Sequence, residues 1–238
     1  MLGIIGALDI EIDGIRKMMT DIEEQTISKI KFFKGNINNK PCVVAQCGVG
    51  KVNAGMCAQT MILTYNPDAI INTGVAGAVN SELKIGDIVV SSDVVNHDIR
   101  VINDEIENID EMFPRGAIQF NDEMITRISA DKKLTDSIIT VCKNSLENTN
   151  VYYGTVASGE QFISSRVARL DIANSFNAYC CEMEGSAIGQ VCYRNNKPFA
   201  IVRAISDTVS NNDFMDFEKF KCLAADETMK VISALFAN

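Results

Sequence analysis

The sequence predicts a single α/β domain in which helices cover both faces of a mixed central sheet, giving three α/β/α layers. Short β-branched segments alternate along the chain with segments whose apolar residues recur at helical spacing. The 238 residues are 47% hydrophobic, which is enough apolar material for one sizeable core. Because no segment has the composition of an interdomain linker, we expect one domain over residues 1–238.

The predicted strands are short apolar runs that end at turn residues. They cover residues 2–7, 30–37, 41–47, 69–72, 88–95, 151–157 and 199–202. The second and third are separated only by Asn38-Asn39-Lys40, which is typical of a hairpin. Glycine-containing turns are expected at 48–50 and 73–77, where they bracket one helix and one strand.

The predicted helices carry apolar residues three and four positions apart. They cover residues 9–19, 52–65, 121–129, 134–146 and 184–195, and a further helix lies in the C-terminal segment. The helix at 184–195 stops before Pro198, since proline cannot continue a helix. The C-terminal segment carries a stripe that we expect to face the core, made of Phe217, Phe220, Ala224, Thr228, Val231 and Leu235.

Residues 100–115 lose this periodicity and are rich in acids and asparagines. The pattern predicts a long mobile loop. Two interpretations stay open, because long loops in compact domains serve either as lids and binding loops or as solvated excursions with no role.

The net charge limits the kinds of partner that the protein can bind. Lysine and arginine total 22 and aspartate and glutamate total 31, so the net charge is −9, and no cationic stripe is present. This argues against nucleic acids and anionic membranes as partners. The apolar start of the chain lacks a basic leader and soon meets Asp9 and Glu11, unlike a signal peptide, and no apolar run approaches the roughly 20 residues needed to span a bilayer. We expect a cytoplasmic protein.

The eight cysteines are scattered through strand-like and helix-like segments without a CxxC pair. Buried free thiols in a reducing cytosol are the expected state. The only histidine is His97, so a Cys/His catalytic pair would rest on it alone, and the thiols lack the clustered spacing of a zinc site. We therefore expect no metal, and we interpret His97, beside Asp98, as a hydrogen-bonded structural residue.

Polar residues gather around what the sequence indicates are two adjacent strand ends. Glu182 and Glu184 lie at one of them, where the predicted helix at 184–195 begins, and Arg203, Ser206 and Asp207 follow the strand at 199–202. Open α/β sheets bind ligands at the carboxyl ends of their strands, so these groups are placed to grip a ribose and a nitrogenous base. The alternative is structural, with Glu182 and Arg203 as an ion pair and Asp207 as a helix cap.

These groups suit cleavage of a ribosyl bond to a purine, whose transition state carries positive charge on the sugar and negative charge on the base. Asp207 would protonate or hydrogen-bond the purine N7, Glu184 would hold the ribose, and Glu11 would activate water. Phosphate as the nucleophile is disfavoured, because the turn at residues 6–11 offers acids and no cation. Water is therefore the expected nucleophile.

Motifs along nearly the whole chain resemble those of the 5′-methylthioadenosine/S-adenosylhomocysteine nucleosidases of the purine nucleoside phosphorylase-like superfamily. They lie at residues 3–7 with Glu11, 48–52, 71–77, 84–91, 97–98, 158–162, 182–185 and 203–207. The resemblance implies a three-layer phosphorylase/hydrolase-like fold, a homodimer whose partner chain helps to close the pocket, and no cofactor. It also implies hydrolysis of both nucleosides to adenine and the 5-thioribose product, in methionine salvage and in removal of S-adenosylmethionine by-products.

Roles carry over residue by residue. The resemblance implies that Glu11 activates water and that Asp207 assists the departure of adenine. The residues that it places around the substrate are Met183 and Glu184 at the ribose, Phe162 and the backbone of Ile163 at adenine, Gly77 at the pocket lining, and Val49, Val101 and Phe217 at the 5′-alkylthio group. Three further residues of the shared motifs are also expected at the substrate site: Glu182, Arg203 and Ser206.

Two positions depart from the family pattern. Val75 stands where some members carry a serine, and the loop after Asp98 lacks the aromatic and glycine-containing sequence of many members. This loop motivates the hypothesis that Arg100 binds the carboxylate of a homocysteinyl tail, against the alternative of a solvent-exposed arginine. Three other functions stay open: a phosphate-dependent nucleoside phosphorylase, a hydrolase of other 6-amino or 6-oxo purine nucleosides, and a non-catalytic adenine-nucleoside-binding protein.

Overall fold

The computed structural model of the protein describes residues 1–103, 109–146, 149–208 and 213–237. Its strands are β1 (Leu2–Gly6), β2 (Thr20–Ile27), β3 (Ile30–Ile37), β4 (Lys40–Gln46), β5 (Ala69–Ala78), β6 (Ile88–Asn96), β7 (Ile118–Phe120), β8 (Glu123–Ile125), β9 (Ile128–Ser129), β10 (Val151–Ser158), β11 (Ala178–Glu182) and β12 (Phe199–Asp207). Its helices are α1 (Asp9–Lys17), α2 (Lys51–Tyr65), α3 (Ile109–Met112), α4 (Lys132–Ser145), α5 (Arg166–Phe176), α6 (Gly185–Arg194) and α7 (Asp213–Ala237).

The central sheet has the strand order β11-β10-β6-β12-β5-β1-β4-β3-β2. Its pairings are parallel between β1 and β4, β1 and β5, β5 and β12, β6 and β10, and β10 and β11, and antiparallel elsewhere. Strand β11 also pairs with β5, so five of the strands close into a ring and the other strands extend from it. The mixed sheet predicted from the sequence is confirmed.

Helices cover both faces of this sheet, as predicted. One apolar core packs α2 and α6 against the sheet through residues such as Cys57, Met61 and Ile188. A second core packs α1, α4 and α7 on the other face, through residues such as Ile15 and Val231. The stripe on α7 does face the core at Ala224, Thr228 and Val231, which are fully buried.

The predicted helix at 121–129 is wrong. This stretch instead forms the turn and the second strand, β8, of a hairpin with β7, and then β9, which pairs with β6. The turn between β7 and β8 contains Asn121 with φ of 52°, a left-handed conformation that asparagine tolerates and that a helix cannot contain. The local turn chemistry therefore overrides the apolar spacing.

The predicted turn at 73–77 is also wrong, because β5 continues through it to Ala78. Gly74 is needed there for close approach, since a Cβ at this position would lie 2.5 Å from Glu11 Oε1 and would also clash with the guanidinium of Arg203. Strand β12 likewise extends beyond residue 202 to Asp207. The polar residues thus belong to the strands themselves.

The predicted loop at 100–115 contains residues 104–108, which lie outside the described part of the chain, and the short helix α3. Its base is closed where Gly116 N–H donates to Ile99 O at 2.7 Å. Arg115 reinforces the closure, because it donates to His97 O at 3.2 Å and to Asp171 on α5 at 2.7 Å. The segment therefore leaves and re-enters the domain at one point.

All eight cysteines are free thiols, and seven of them are buried, whereas Cys222 on α7 is exposed. Burial raises the pKa of Cys57, Cys142 and Cys192 to about 12. Within the described ranges, no group of three or more His, Cys, Asp or Glu side chains has an arrangement that could hold a metal ion. Over the same residues, no helix is long and apolar enough to cross a membrane.

Candidate active site

Residues at the carboxyl ends of β1, β5, β11 and β12 line a cavity of about 470 Å³. The strands bring to one cavity residues that are far apart in the chain, because their carboxyl ends meet at one edge of the sheet. Glu11 lies on the first turn of α1, Glu184 lies between β11 and α6, and Asp207 ends β12. The structure brings these three predicted acids to one cavity.

The Glu11 carboxylate is buried and is held by backbone amides. Its Oε2 accepts hydrogen bonds from Ala7 N at 2.7 Å and Leu8 N at 2.9 Å, and its Oε1 accepts one from Val75 N at 3.0 Å. These donors fix the carboxylate between the end of β1 and the middle of β5. An anion with this support is a preorganised proton acceptor.

Glu182, Glu184 and Arg203 form a buried charge cluster. The Arg203 guanidinium is fully buried, pairs with Glu182, donates to Asn72 Oδ1 at 2.5 Å, and lies 3.5 Å from Glu184 Oε2. Glu182 also accepts a hydrogen bond from the hydroxyl of Ser158. The ion pair of Glu182 and Arg203 is therefore present, while Glu182 and Glu184 still line the cavity.

Glu184 faces opposing influences. Burial and the nearby charge of Glu182 raise the pKa of Glu184, Arg203 and a hydrogen bond from Gly50 N lower it, and the net result is a pKa of about 7. The Gly50 amide donates to Glu184 Oε1 at 2.9 Å, which orients the carboxyl group. Glu184 therefore exchanges a proton near neutral pH, which suits a group that both accepts from and donates to ribose hydroxyls.

Asp207 is buried between two donors. Its Oδ1 accepts from the Ser206 hydroxyl at 2.6 Å, and its Oδ2 pairs with the guanidinium of Arg169. Arg169 is itself anchored by donating to Ile163 O at 2.9 Å and to Ala78 O at 3.1 Å. The acid is thus tied to the segment that contains Phe162 and Ile163.

Sequence reasoning missed Arg169. The buried residues of α5 are Arg169, Ile172 and Phe176, so the arginine occupies a core position of the helical stripe. An arginine in such a stripe needs a buried partner, because an unpaired charge is costly to bury. That mismatch between residue type and position is the signal that would have found it.

The other predicted residues divide into two groups. Along the cavity wall lie Val49, Val75, Gly77, Phe162, Ile163, Met183, Ser206 and Phe217. Phe162 and Phe217 meet edge to face with 5.2 Å between ring centres. Arg203 lies behind the carboxylates and is not part of the wall, and neither Val101 nor Arg100, both exposed, lines the cavity of its own chain.

His97 is buried, and burial lowers its pKa, so the imidazole is neutral at physiological pH. Its Nε2 has no hydrogen-bond partner among the described residues, and the ring packs against Gly159, where no Cβ would fit. The residue is structural through packing and through its backbone, which bonds Ser158 and Arg115. The hydrogen bonds seen at His97 are thus made by its backbone, while Nε2 makes none with the described residues.

Comparison with known proteins agrees with this geometry. The sequence profile of the phosphorylase superfamily matches residues 1–237. A 5′-methylthioadenosine/S-adenosylhomocysteine nucleosidase of Staphylococcus haemolyticus is 35% identical over 236 residues, which cover 99% of this chain and 98% of that protein.

Two solved structures are similar over nearly the full length. The nucleosidase of the same name from Neisseria meningitidis, in complex with methylthio-immucillin-A, has a TM-score of 0.89 and 28% identity, covering 98% of this chain and 97% of that one. Futalosine hydrolase of Helicobacter pylori has a TM-score of 0.87 and 28% identity, covering 98% and 96%. With a full-length relative, a matching superfamily profile and the three acids in one cavity, the chain belongs to the 5′-methylthioadenosine/S-adenosylhomocysteine nucleosidase family of the phosphorylase superfamily.

Proposed function

We propose that the protein hydrolyses the N-glycosidic bond of 5′-methylthioadenosine and S-adenosylhomocysteine, releasing adenine and the 5-thioribose product. The names of its relatives support both the reaction and the two substrates. The cavity supports it independently, because carboxylates for the sugar and an acid for the base line one space. A cytoplasmic location is part of the proposal and is supported by the eight free thiols.

The observation that carries hydrolysis is the position of the Glu11 carboxylate. It accepts hydrogen bonds from the backbone amides of Ala7 and Leu8, at the turn between β1 and α1. These amides are the donors that a phosphate at this turn would need. A second anion beside this carboxylate would be repelled. Of the cations on the described cavity wall, Arg169 is paired with Asp207 and Lys221 lies on α7 at the rim. The site therefore favours water over phosphate as the nucleophile.

The proposed mechanism assigns one task to each acid. Glu11 accepts a proton from the attacking water, whose oxygen bonds to the anomeric carbon of the ribose as the bond to purine N9 breaks. Asp207 takes part in its protonated form: it donates its carboxyl proton to N7, adenine leaves as a neutral base, and the carboxylate left behind pairs with Arg169. Such assistance contributes about 10²–10⁴ in rate. Glu184 holds the ribose hydroxyls and stabilises the positive charge that develops on the sugar.

A homodimer completes the proposal. The first helix after the glycine turn, α2, exposes Val52, Met56 and Leu63, and Val49 and Phe162 at the cavity are also exposed. Exposed apolar side chains of this kind, on one helix and at a binding cavity, are typical of a protein interface. In a dimer, the partner's Val101 would close the 5′ end of the cavity, which this chain's own copy does not reach.

Phosphate-free incubation with a panel of adenine nucleosides tests the function. We expect adenine release from both thio-substituted nucleosides at a rate that does not change when phosphate is added. The variant Glu11→Gln should lose turnover by at least two orders of magnitude and still bind substrate, because an amide cannot accept the proton. Strict dependence on phosphate would replace this proposal with a phosphorylase, and binding without turnover would replace it with a binding protein.

Light scattering coupled to size exclusion tests the dimer. The substitution Leu63→Glu places a charge on the exposed face of α2 and should produce monomers, while Lys230→Glu on α7 serves as a surface control. A wild-type protein that is monomeric at micromolar concentration would contradict the proposed assembly.

A further inference from the structure

Among the described residues, seven charged side chains line the cavity, and they fall into two groups. The buried group contacts ribose and adenine in the proposed function or holds the residues that do, and it consists of Glu11, Arg169, Glu182, Glu184 and Asp207. The other two, Asp9 and Lys221, are accessible to solvent and have opposite charges. Neither takes part in the chemistry at the glycosidic bond.

Lys221 lies one helical turn beyond Phe217 on α7, so both side chains share one face of the helix. Its Nζ is 5.6 Å from the centre of the Phe217 ring. Phe217 lines the cavity and is the residue that the family resemblance places at the 5′-alkylthio group, while Phe162, which it meets edge to face, is placed at adenine. The ammonium group therefore lies beside a residue of the proposed 5′-alkylthio position and is partly accessible to solvent.

Asp9 is the first residue of α1 and lies between Leu8 and Ile10, which also line the cavity. Leu8 and Ile10 are apolar, so Asp9 provides the accessible negative charge of this part of the wall. A cavity whose rim offers one cation and one anion is complementary to a zwitterion. The α-amino and α-carboxylate groups at the end of a homocysteinyl tail form such a zwitterion.

We propose that Lys221, with Asp9 as its counterpart, binds the amino-acid end of a 5′-thio substituent, and that Lys221 selects substrates whose tail carries a carboxylate. The inference rests on the proposed function, because the direction of the tail follows from adenine at Asp207 and ribose at Glu184. It adds a specificity determinant to a 5′ subsite that is otherwise apolar. The determinant is electrostatic and acts through binding.

The existing partner of Lys221 does not block this role. Lys221 donates to Glu218 Oε2 at 2.7 Å, but the Glu218 side chain is 47% exposed. Exposed pairs within a helix contribute only a few tenths of a kcal/mol, so a substrate carboxylate replaces Glu218 at little cost. Arg100, which the sequence suggested for the same carboxylate, is exposed and lies off the wall of its own chain's cavity. Of these two cations, Lys221 is the one that lines the cavity of this chain.

Four substrates that differ only at the tail test the inference. S-Adenosylhomocysteine carries both charges, 5′-(3-aminopropylthio)-5′-deoxyadenosine carries only the ammonium, and the butylthio and methylthio compounds carry neither. We expect Lys221→Met to lower the kcat/KM ratio of S-adenosylhomocysteine over the butylthio compound by about tenfold, mostly through KM. Lys221→Met should not lower the kcat/KM ratio of the aminopropylthio compound over the butylthio compound. Asp9→Asn should lower the ratio over the butylthio compound for both S-adenosylhomocysteine and the aminopropylthio compound.

Lys219→Met is the matched control, because Lys219 lies on the same helix and does not line the cavity. It should leave all ratios within twofold. The inference is overturned if Lys221→Met changes the homocysteinyl and butylthio substrates equally, or changes neither. Circular dichroism and melting curves establish that each variant is folded.

The outcome separates this inference from the proposed function. If the wild-type protein binds the four compounds without hydrolysing them, the proposed function fails, and dissociation constants from calorimetry give the same ratios for the Lys221 comparison. If the wild-type protein binds none of the four compounds, both the proposed function and the inference about Lys221 are wrong.

Discussion

Replacing Arg203 with methionine should destabilise the fold more than any surface substitution, because it leaves two buried carboxylates without their cation. The guanidinium is fully buried, pairs with Glu182, and lies 3.5 Å from Glu184. At that separation and an effective dielectric constant of 20, the attraction to Glu184 alone is about 5 kcal/mol. Breaking a buried pair in this way costs about 3–5 kcal/mol of unfolding free energy.

The cost should depend on pH. Arg203 lowers the pKa of Glu184, which burial has raised to about 7, so its removal extends the protonated form of Glu184 to higher pH. A protonated carboxyl is cheaper to bury than a carboxylate. The loss of stability should therefore be smaller at pH 5.5 than at pH 8.

Urea unfolding of wild type and Arg203→Met at both pH values measures the effect. The double variant Arg203→Met with Glu184→Gln should recover part of the loss at pH 8, because it removes one of the unpaired charges. Lys219→Met should change stability by less than about 0.5 kcal/mol as a surface control. A loss below about 1 kcal/mol at pH 8 would refute the reasoning, as would equal losses at the two pH values.

Three further predictions concern the same cavity. Asp207→Asn should reduce kcat by about 10²–10⁴ while circular dichroism stays native, because an amide is a poor proton donor, and a near-normal kcat would remove Asp207 from the mechanism. Gly74→Ala should lower both kcat and the melting temperature, since its Cβ would lie 2.5 Å from Glu11 Oε1; wild-type activity would show that the strand adjusts freely. For Glu184, burial raises the pKa from 4.5 to about 7, so the folded state binds a proton that the unfolded state releases, and stability falls as pH rises across that interval. In urea titrations at several pH values, Glu184→Gln should reduce this pH-dependent loss of unfolding free energy. An unchanged pH dependence would contradict the raised pKa of Glu184.

Sequence patterns were sufficient for elements with one buried face or stripe. The hairpin of β3 and β4 and the helix α2 were predicted because their apolar residues match the period of the structure. Strand β2 was missed, since Thr20–Ile27 is exposed along nearly its whole length and contains no buried alternation. It is held by backbone pairing with β3 and by exposed polar side-chain contacts such as Lys34 with Glu23, which leave no apolar pattern in the sequence.

The candidate site shows the same division. Glu11, Glu184 and Asp207 were predicted because they follow strands, and a sheet aligns strand ends wherever they lie in the chain. Arg169 was missed because its partner Asp207 is 38 positions away and its contacts depend on how α5 packs. Lys221 reaches the cavity only because α7 crosses its rim, which no local pattern encodes.

The distribution of cysteines leaves one thiol, that of Cys222, open to selective chemical labelling. Seven thiols are enclosed by the cores, and for Cys42, Cys57, Cys142 and Cys192 the raised pKa values also suppress the thiolate that reacts with electrophiles. A maleimide dye added to the folded enzyme would attach at Cys222, next to Lys221 on α7. Unmodified wild-type protein could therefore carry a fluorescent reporter beside the entrance, and its emission would follow ligand arrival in real time without any engineered residue.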